Sequence, residues 1–240
     1  MAFGGFPEEG FTFLRELARH NDRAWLEGRR EPWEARIVPA MLDWLAELQA
    51  RLHDVMPALV LVPRQGGSLY RLARDTRFGK DKRPYHAYAA ALLWEGGERH
   101  DCPGLYLRVS PDEVIFGGGL WIFEEARLDR YRKLLQSSES AERLERALQS
   151  GKAAGLAVEG EQLPRPPRPF NAEHPRVELS RYQGLALGLH QKPGPWLFTR
   201  EALARSEEFA RAYAPLHAWM RDELCSTRPL PTPRLPTGEE

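Results

Sequence analysis

The chain has 240 residues, 42% hydrophobic and 28% charged, which is long enough to bury a substantial core and close to the average globular mix. With 34 basic and 34 acidic residues it has no net charge, so nothing draws the whole molecule to nucleic acid or an anionic membrane, and any basic site must be local. The composition excludes collagen, coiled coil and a disulfide scaffold, and the most apolar run, Tyr88 to Trp94, falls far short of the ~20 residues of a membrane-spanning helix.

Phe11, Leu14 and Leu17 recur at helical spacing behind Pro7-Glu8-Glu9, and this predicts a first helix from Pro7 to Leu17. The three-to-four period continues through Trp25, Trp33, Ile37, Met41, Trp44, Leu45, Leu48 and Leu52, giving one or two further helices whose apolar stripe reads as core. Pro57 and Pro63 end that pattern. From Ser68 to Phe123 the period shifts toward two, which predicts a run of antiparallel strands. Tyr85 to Trp94, apolar on both alternating faces, reads as a central strand. Leu105 to Val109, the turn Ser110-Pro111-Asp112-Glu113 and Val114-Ile115-Phe116 read as a hairpin.

Beyond Phe123, Leu128, Tyr131 and Leu135 mark another helix, and Ser137, Ser138 or Ser140 can cap a further one bearing Leu144 and Leu148. Leu163 to Phe170 is proline-dense and must be extended or looped, while His174-Pro175 looks like an N-cap followed by proline at the first helical position. Thr199 opens the last helical pattern, through Leu203, Phe209, Tyr213, Leu216 and Met220, with Pro215 expected to kink or divide it. The expected architecture is one α+β domain over residues 1–226, a mainly antiparallel central sheet flanked by N-terminal and C-terminal helices, followed by a flexible Pro-rich tail at 227–240.

The most unusual stretch is Arg64 to Tyr88, where seven basic residues meet only Asp75 and Asp81. Guanidinium forks bind phosphate or carboxylate in bidentate geometry and keep their charge at any ordinary pH. If residues 69–78 form a strand, Arg74 shares a face with Tyr70, Leu72 and Phe78 and needs a partner, because an unpaired buried charge is costly. Asp75 points to the other face, flanked by Arg71 and Arg77, a geometry suited to clamping an anion beside a carboxylate. Lys80 and Lys82, on the following loop, can reach the same ligand. Arg71, Arg74, Arg77, Lys80 and Lys82 are thus the ligand-binding candidates, and Asp75, Tyr85 and His86 the candidates for acid or base work. Two other readings stay open: a ladder of surface ion pairs that only stabilises the sheet, and a nucleic-acid face using the interleaved Tyr70, Phe78, Tyr85 and Tyr88.

These residues also carry a resemblance. Arg71-x-x-Arg74-Asp75-x-Arg77-Phe78-x-Lys80-Asp81-Lys82-x-Pro84-Tyr85, together with Phe3-Gly-Gly-Phe6-Pro7, Asn21, Trp25 and Gly117-Gly118-Gly119, resembles the bacterial and fungal family called domain of unknown function 2461, from about Phe3 to Met220. His20 stands where that family usually has a second asparagine, and Trp33 where it usually has tyrosine. The resemblance implies a single globular domain and brings no assigned activity.

Other chemistry finds little support. Gly117-Gly118-Gly119 is either a nest of N–H groups for an anion or a place of close backbone packing. No histidine pair has metal-ligand spacing, Glu173-His174 reads as helix capping, and no nucleophile elbow or cofactor fingerprint occurs. Cys102 and Cys225 read as plain thiols, and with an N-terminus lacking basic and apolar signal regions they point to a reducing cytoplasm. The sequence therefore leads to a cytoplasmic domain binding an anionic small molecule, with no cofactor.

Overall fold

The structure, a computed structural model, describes residues 2–77, 80–97, 99 and 103–226. The expectations for Phe78, for the Cys102 thiol and for the tail at 227–240 lie outside the described residues. The fold is α+β, as the element pattern predicts. Its strands form one antiparallel sheet in the order β1-β2-β3-β4-β6-β5, made of β1 (Leu59–Val60), β2 (Ala89–Glu95), β3 (Gly104–Val109), β4 (Val114–Leu120), β5 (Ala157–Glu159) and β6 (Leu185–Gln191). The chain divides into two compact units, and each draws on separate stretches of sequence.

The first unit comprises residues 1–99, 104–117 and 189–211. Its helix α1 (Glu8–Arg19) starts behind Pro7, which has no N–H to leave unpaired, and places Glu8 and Glu9 against the positive end of the helix dipole. Phe11, Phe13, Leu14 and Leu17 are buried. A short helix α2 (Arg23–Leu26) follows, capped by Asp22, whose Oδ1 accepts from the Trp25 N–H at 2.8 Å. A π-helical turn (Pro32–Ile37) leads into α3 (Val38–Arg51). Pro39 lacks the N–H that would bond Ala35, and the Val38 N–H bonds Trp33 instead, which widens the turn. α3 buries Met41, Trp44, Leu45 and Leu48, and β2 adds Ala89, Ala90, Ala91 and Leu93. Small residues on β2 let this layer pack closely, as its two-sided apolar pattern predicts. The hairpin also forms as expected, with the Ser110 N–H donating to the Glu113 carbonyl at 3.0 Å.

The second unit comprises residues 100–103, 118–188 and 212–240. Here α4 (Glu125–Gln136) and α5 (Ser138–Ala153) bury Tyr131, Leu135, Leu144 and Leu148 at the spacing that predicts them, and Leu134 beside them, while Leu128 is only half-buried. Ser137 occupies the N-cap of α5, but its side chain makes no capping bond. The Tyr131 hydroxyl donates to the Leu179 carbonyl at 2.9 Å, and Trp219 Nε1 donates to the Ser140 carbonyl at 3.0 Å, so both large aromatics satisfy their polar ends. Gly118 and Gly119 make room for packing. A Cβ on Gly118 would lie 2.6 Å from the Tyr213 ring, and one on Gly119, at φ +143°, would lie 2.3 Å from the Leu185 carbonyl oxygen.

Four expectations need correction. Residues 69–77 form no continuous strand and make only isolated bridges, Leu69 with Gln65 and Ala91, and Ala73 with Tyr85, and β2 begins at Ala89 rather than Tyr85. Short polar residues that bond their own neighbours, described below, compete there with a ladder. Helix α6 (Val177–Ser180) starts two residues after the expected first position, Pro175; His174 instead makes a turn, its Nδ1 accepting from the Arg176 N–H at 3.1 Å. Helix α7 (Glu201–Trp219) runs through Pro215 without dividing, and passes into a π-helical turn only at Met220–Leu224. Its N-terminus is served by Thr199, whose Oγ1 accepts from the Glu201 N–H at 3.2 Å.

Candidate functional site

The basic segment folds as a loop closed at its base. The Arg74 N–H donates to the Pro84 carbonyl and the His86 N–H to the Leu72 carbonyl, both at 2.8 Å, on either side of the Ala73–Tyr85 bridge. Asn21 completes this base from another part of the chain. Its Nδ2 donates to the Tyr85 carbonyl and its Oδ1 accepts the Tyr85 N–H, each at 3.0 Å, so one side-chain amide stands in for a neighbouring strand. That double bond pins the junction of α1 and α2 against Tyr85.

Within the loop one device occurs twice. The Arg77 N–H donates to Asp75 Oδ1 at 3.0 Å while the Arg77 fork grips the same carboxylate, with Nη2 2.7 Å from Oδ2. The Arg83 N–H and fork hold Asp81 in the same way, at 3.0 and 2.7 Å. An Asp-x-Arg triplet of this kind satisfies its own backbone and charge locally. Asp81 also reaches across the loop to Arg74, whose Nη1 lies 2.5 Å from Oδ2. This supplies the partner that Arg74 requires, since its side chain is only 24% exposed. Lys82 Nζ caps the Thr76 carbonyl at 2.9 Å.

The titratable candidates follow from this wiring. The hydrogen bonds from the Arg77 side chain, then from its N–H, hold the Asp75 carboxyl at about 2, so it is a carboxylate at neutral pH and has no proton to give. Asp81 is held far below its ordinary range by Arg83 first and Arg74 second. His86 is pushed down to about 4, mainly by burial and then by the charge of Arg74, so its imidazole is neutral at pH 7. Between pH 6.5 and about 4 the unfolded chain binds the His86 proton more readily than the folded one. Stability therefore falls as pH drops through that window and does not depend on His86 above it. After allowance for solvent screening the expected loss is roughly 1–2 kcal/mol. Urea unfolding of the parent and His86→Gln at pH 7 and pH 4.5 checks this: the pH dependence should be flatter in the variant, and parallel curves would show that His86 is not responsible.

Arg74 and Tyr85 open onto a cleft of about 570 Å³, which they line with Arg23, Glu27, Arg30, Ala73, Thr76 and Pro84. Arg23 and Glu27 come from α2 and its C-terminal end, and Arg30 from the turn that follows. Arg23 and Arg30 are exposed and have no ion pair or side-chain hydrogen bond among the described residues. The lining thus holds three guanidiniums and one carboxylate. Of the sequence candidates, Arg74 and Tyr85 stand in this cleft. Asp75 and Arg77 bind one another, Lys82 caps the loop backbone, Lys80 is exposed, and Arg71 lies against Gly66; none of these lines the cleft. His86 faces Tyr88, with ring centroids 4.7 Å apart.

Sequence reasoning missed Arg23, Glu27 and Arg30, because they sit some fifty residues before Arg74 on a helical segment where charge reads as a solvated face. The available signal was Asn21 and Trp25, which belong to the family pattern and bracket Arg23. Among the described residues no group of three His, Cys, Asp or Glu side chains comes together as metal ligands would. No helix among them is long and apolar enough to cross a membrane. The family model described as conserved hypothetical protein (DUF2461) matches residues 9–219. No curated protein and no solved structure matches the chain.

Proposed function

The chain belongs to the DUF2461 family of conserved hypothetical proteins, and on that premise we propose that it binds a small phosphate- or carboxylate-bearing ligand in the cleft of Arg23, Arg30 and Arg74. One observation carries this reading: three guanidiniums converge on one concavity, and two of them have no anionic partner there. Positive charges that outnumber the counter-charges beside them raise the energy of the empty site, and an anion relieves it. Arg74 is held in place by Asp81, whereas Arg23 and Arg30 are available for bidentate contact. Tyr85 and Glu27 are the other titratable side chains in the cleft, so an acid or base step on the ligand would fall to them. The two cysteines in 240 residues support a cytoplasmic setting.

A thermal-shift screen tests the proposal, with sugar phosphates, nucleotides, dicarboxylates and short RNA at two salt concentrations. A ligand at a hundredfold over its Kd adds ~2.7 kcal/mol, enough to raise the melting temperature by roughly 5–10 °C. The best ligand should bind at least thirtyfold more weakly to the double variant Arg23→Ala/Arg30→Ala. Because both side chains are exposed and unpaired, that variant should melt without ligand close to the parent. Equal affinity in the double variant refutes the cleft as the site. A shift that falls steeply with salt and ignores the head group favours nucleic acid instead.

A further inference from the structure

The outward face of β3 carries Tyr106 and Arg108 between the buried Leu105, Leu107 and Val109. Tyr70 meets Tyr106 edge to face, with centroids 6.1 Å apart, and the Arg99 guanidinium lies 4.0 Å over the Tyr70 ring. The Arg108 guanidinium lies 5.1 Å over the ring of Tyr88. None of these residues lines the Arg23–Arg74 cleft.

Donors outnumber acceptors on this face. Among the described residues Glu113 is the carboxylate at hand, and both its oxygens are engaged: Oε2 accepts from Arg108 Nη2 at 2.5 Å, and Oε1 lies 2.8 Å from His190 Nδ1. The Tyr70 and Tyr106 hydroxyls lie beside Arg99 and Arg108, yet Nε and Nη2 of Arg99 and Nε of Arg108 are buried with no hydrogen-bond partner among the described residues. A buried charged N–H without an acceptor bears its whole desolvation cost, and native structures rarely leave such donors unmatched without a reason. Burial also raises the Tyr70 and Tyr106 phenols above their ordinary range, so at neutral pH they keep their protons and can donate as well. Water could meet one such donor at a time but brings no charge. A tetrahedral oxyanion brings both negative charge and several acceptors.

We propose that this tyrosine and arginine face of β3 is a second anion site, which recognises a phosphoryl group through Arg99, Arg108 and the Tyr70 and Tyr106 hydroxyls. Glu113 engages Nη2 of Arg108 and leaves Nε for the ligand. Arg99 supplies Nε and Nη2, the pair that suits two oxygens of one phosphoryl group.

The test reads the unmatched donors directly. Arginine Nε–H resonances are followed by ¹⁵N NMR during titration with inorganic phosphate, phenyl phosphate and acetate, with Arg99→Lys and Arg108→Lys used to assign the two signals. Expected are saturable downfield shifts of the Arg99 and Arg108 signals with both phosphates and not with acetate. They should be unchanged in Arg23→Ala/Arg30→Ala and at least fivefold weaker in affinity in Tyr106→Phe, a variant that keeps the ring. Stronger binding of phenyl phosphate than of inorganic phosphate identifies an ester as the ligand, and the reverse identifies the free ion. Arg99 and Arg108 signals that stay put or drift without saturating overturn the proposal, whatever the cleft does. If these two signals saturate while Arg23→Ala/Arg30→Ala binds its best screen ligand as the parent does, the β3 site stands and the cleft reading fails.

Discussion

Trp44→Ala is expected to lower the unfolding free energy by about 3–5 kcal/mol, the range for truncating a fully buried large aromatic. Trp44 is 1% exposed and belongs to the first unit. Phe6 meets it edge to face at 4.9 Å, Phe3 stacks on it at 6.3 Å and Phe116 crosses it at 6.4 Å. Its Nε1 donates to Ser206 Oγ at 2.9 Å, and that hydroxyl also lies 2.8 Å from the Ala202 carbonyl. Truncation to alanine opens a cavity that four separate pieces of chain would have to close, so little collapse can repay the loss. At this chain length the melting temperature should fall by roughly 10 °C. Trp44→Phe keeps most of the ring and loses only the hydrogen bond, for which about 1 kcal/mol is expected. Urea unfolding followed by near-UV circular dichroism measures both variants. A cost below 1 kcal/mol for the alanine variant would mean that the aromatic cluster is not the keystone of the unit.

Asn21→Leu should cost about 2–4 kcal/mol and also weaken ligand binding in the cleft. The substitution keeps the volume but removes a donor and an acceptor at once, leaving the Tyr85 N–H and carbonyl without partners in a half-buried place. Because Asn21 joins the α1–α2 junction to Tyr85, its loss lets Arg23 and Arg30 drift relative to Arg74, and misplacement by an ångström or so is enough to lose a bidentate contact. Asn21→Asp separates the two effects. It keeps an acceptor for the Tyr85 N–H but sets a carboxylate against the Tyr85 carbonyl, so it should be at least as destabilising as leucine. Unfolding free energies and calorimetric affinity for the best screen ligand check the pair. If Asn21→Leu is as stable as the parent and binds equally well, the amide clamp does not position the cleft.

The helices were legible because their evidence is local. In α1, α4 and α5 most of the residues whose three-to-four spacing the sequence displays are buried, since one helix face meets one apolar layer. The β3–β4 hairpin was legible for a similar reason, as Ser110-Pro111-Asp112-Glu113 encodes its own turn. The segment from Leu69 to Arg77 was misleading: its alternation suggests a strand, but Asp75 and Asp81 capture the N–H groups two residues on, and the backbone is held by single bridges instead of a ladder. At the candidate site, composition pointed to Arg74 and Tyr85 but not to Arg23 or Arg30, which lie beside them where the Asn21 side chain bonds a backbone sixty-four residues away.

What the sequence alone determined is the α+β class, the helix faces, the hairpin, the family and the concentration of positive charge between Arg64 and Tyr88. Each of these is written in spacing or composition within a short window, where propensity and periodicity act. Tertiary structure decided which of the arginines spend their forks on Asp75, Asp81 and Glu113. It also decided that Arg23 and Arg30 share a cleft with Arg74, and that Arg99 and Arg108 lie over tyrosine rings with buried donors unmatched. The physical reason is that a guanidinium's partner is chosen by distance in space, through interactions that fall off within a few ångströms, and contacts between residues far apart along the chain leave no periodic trace in it.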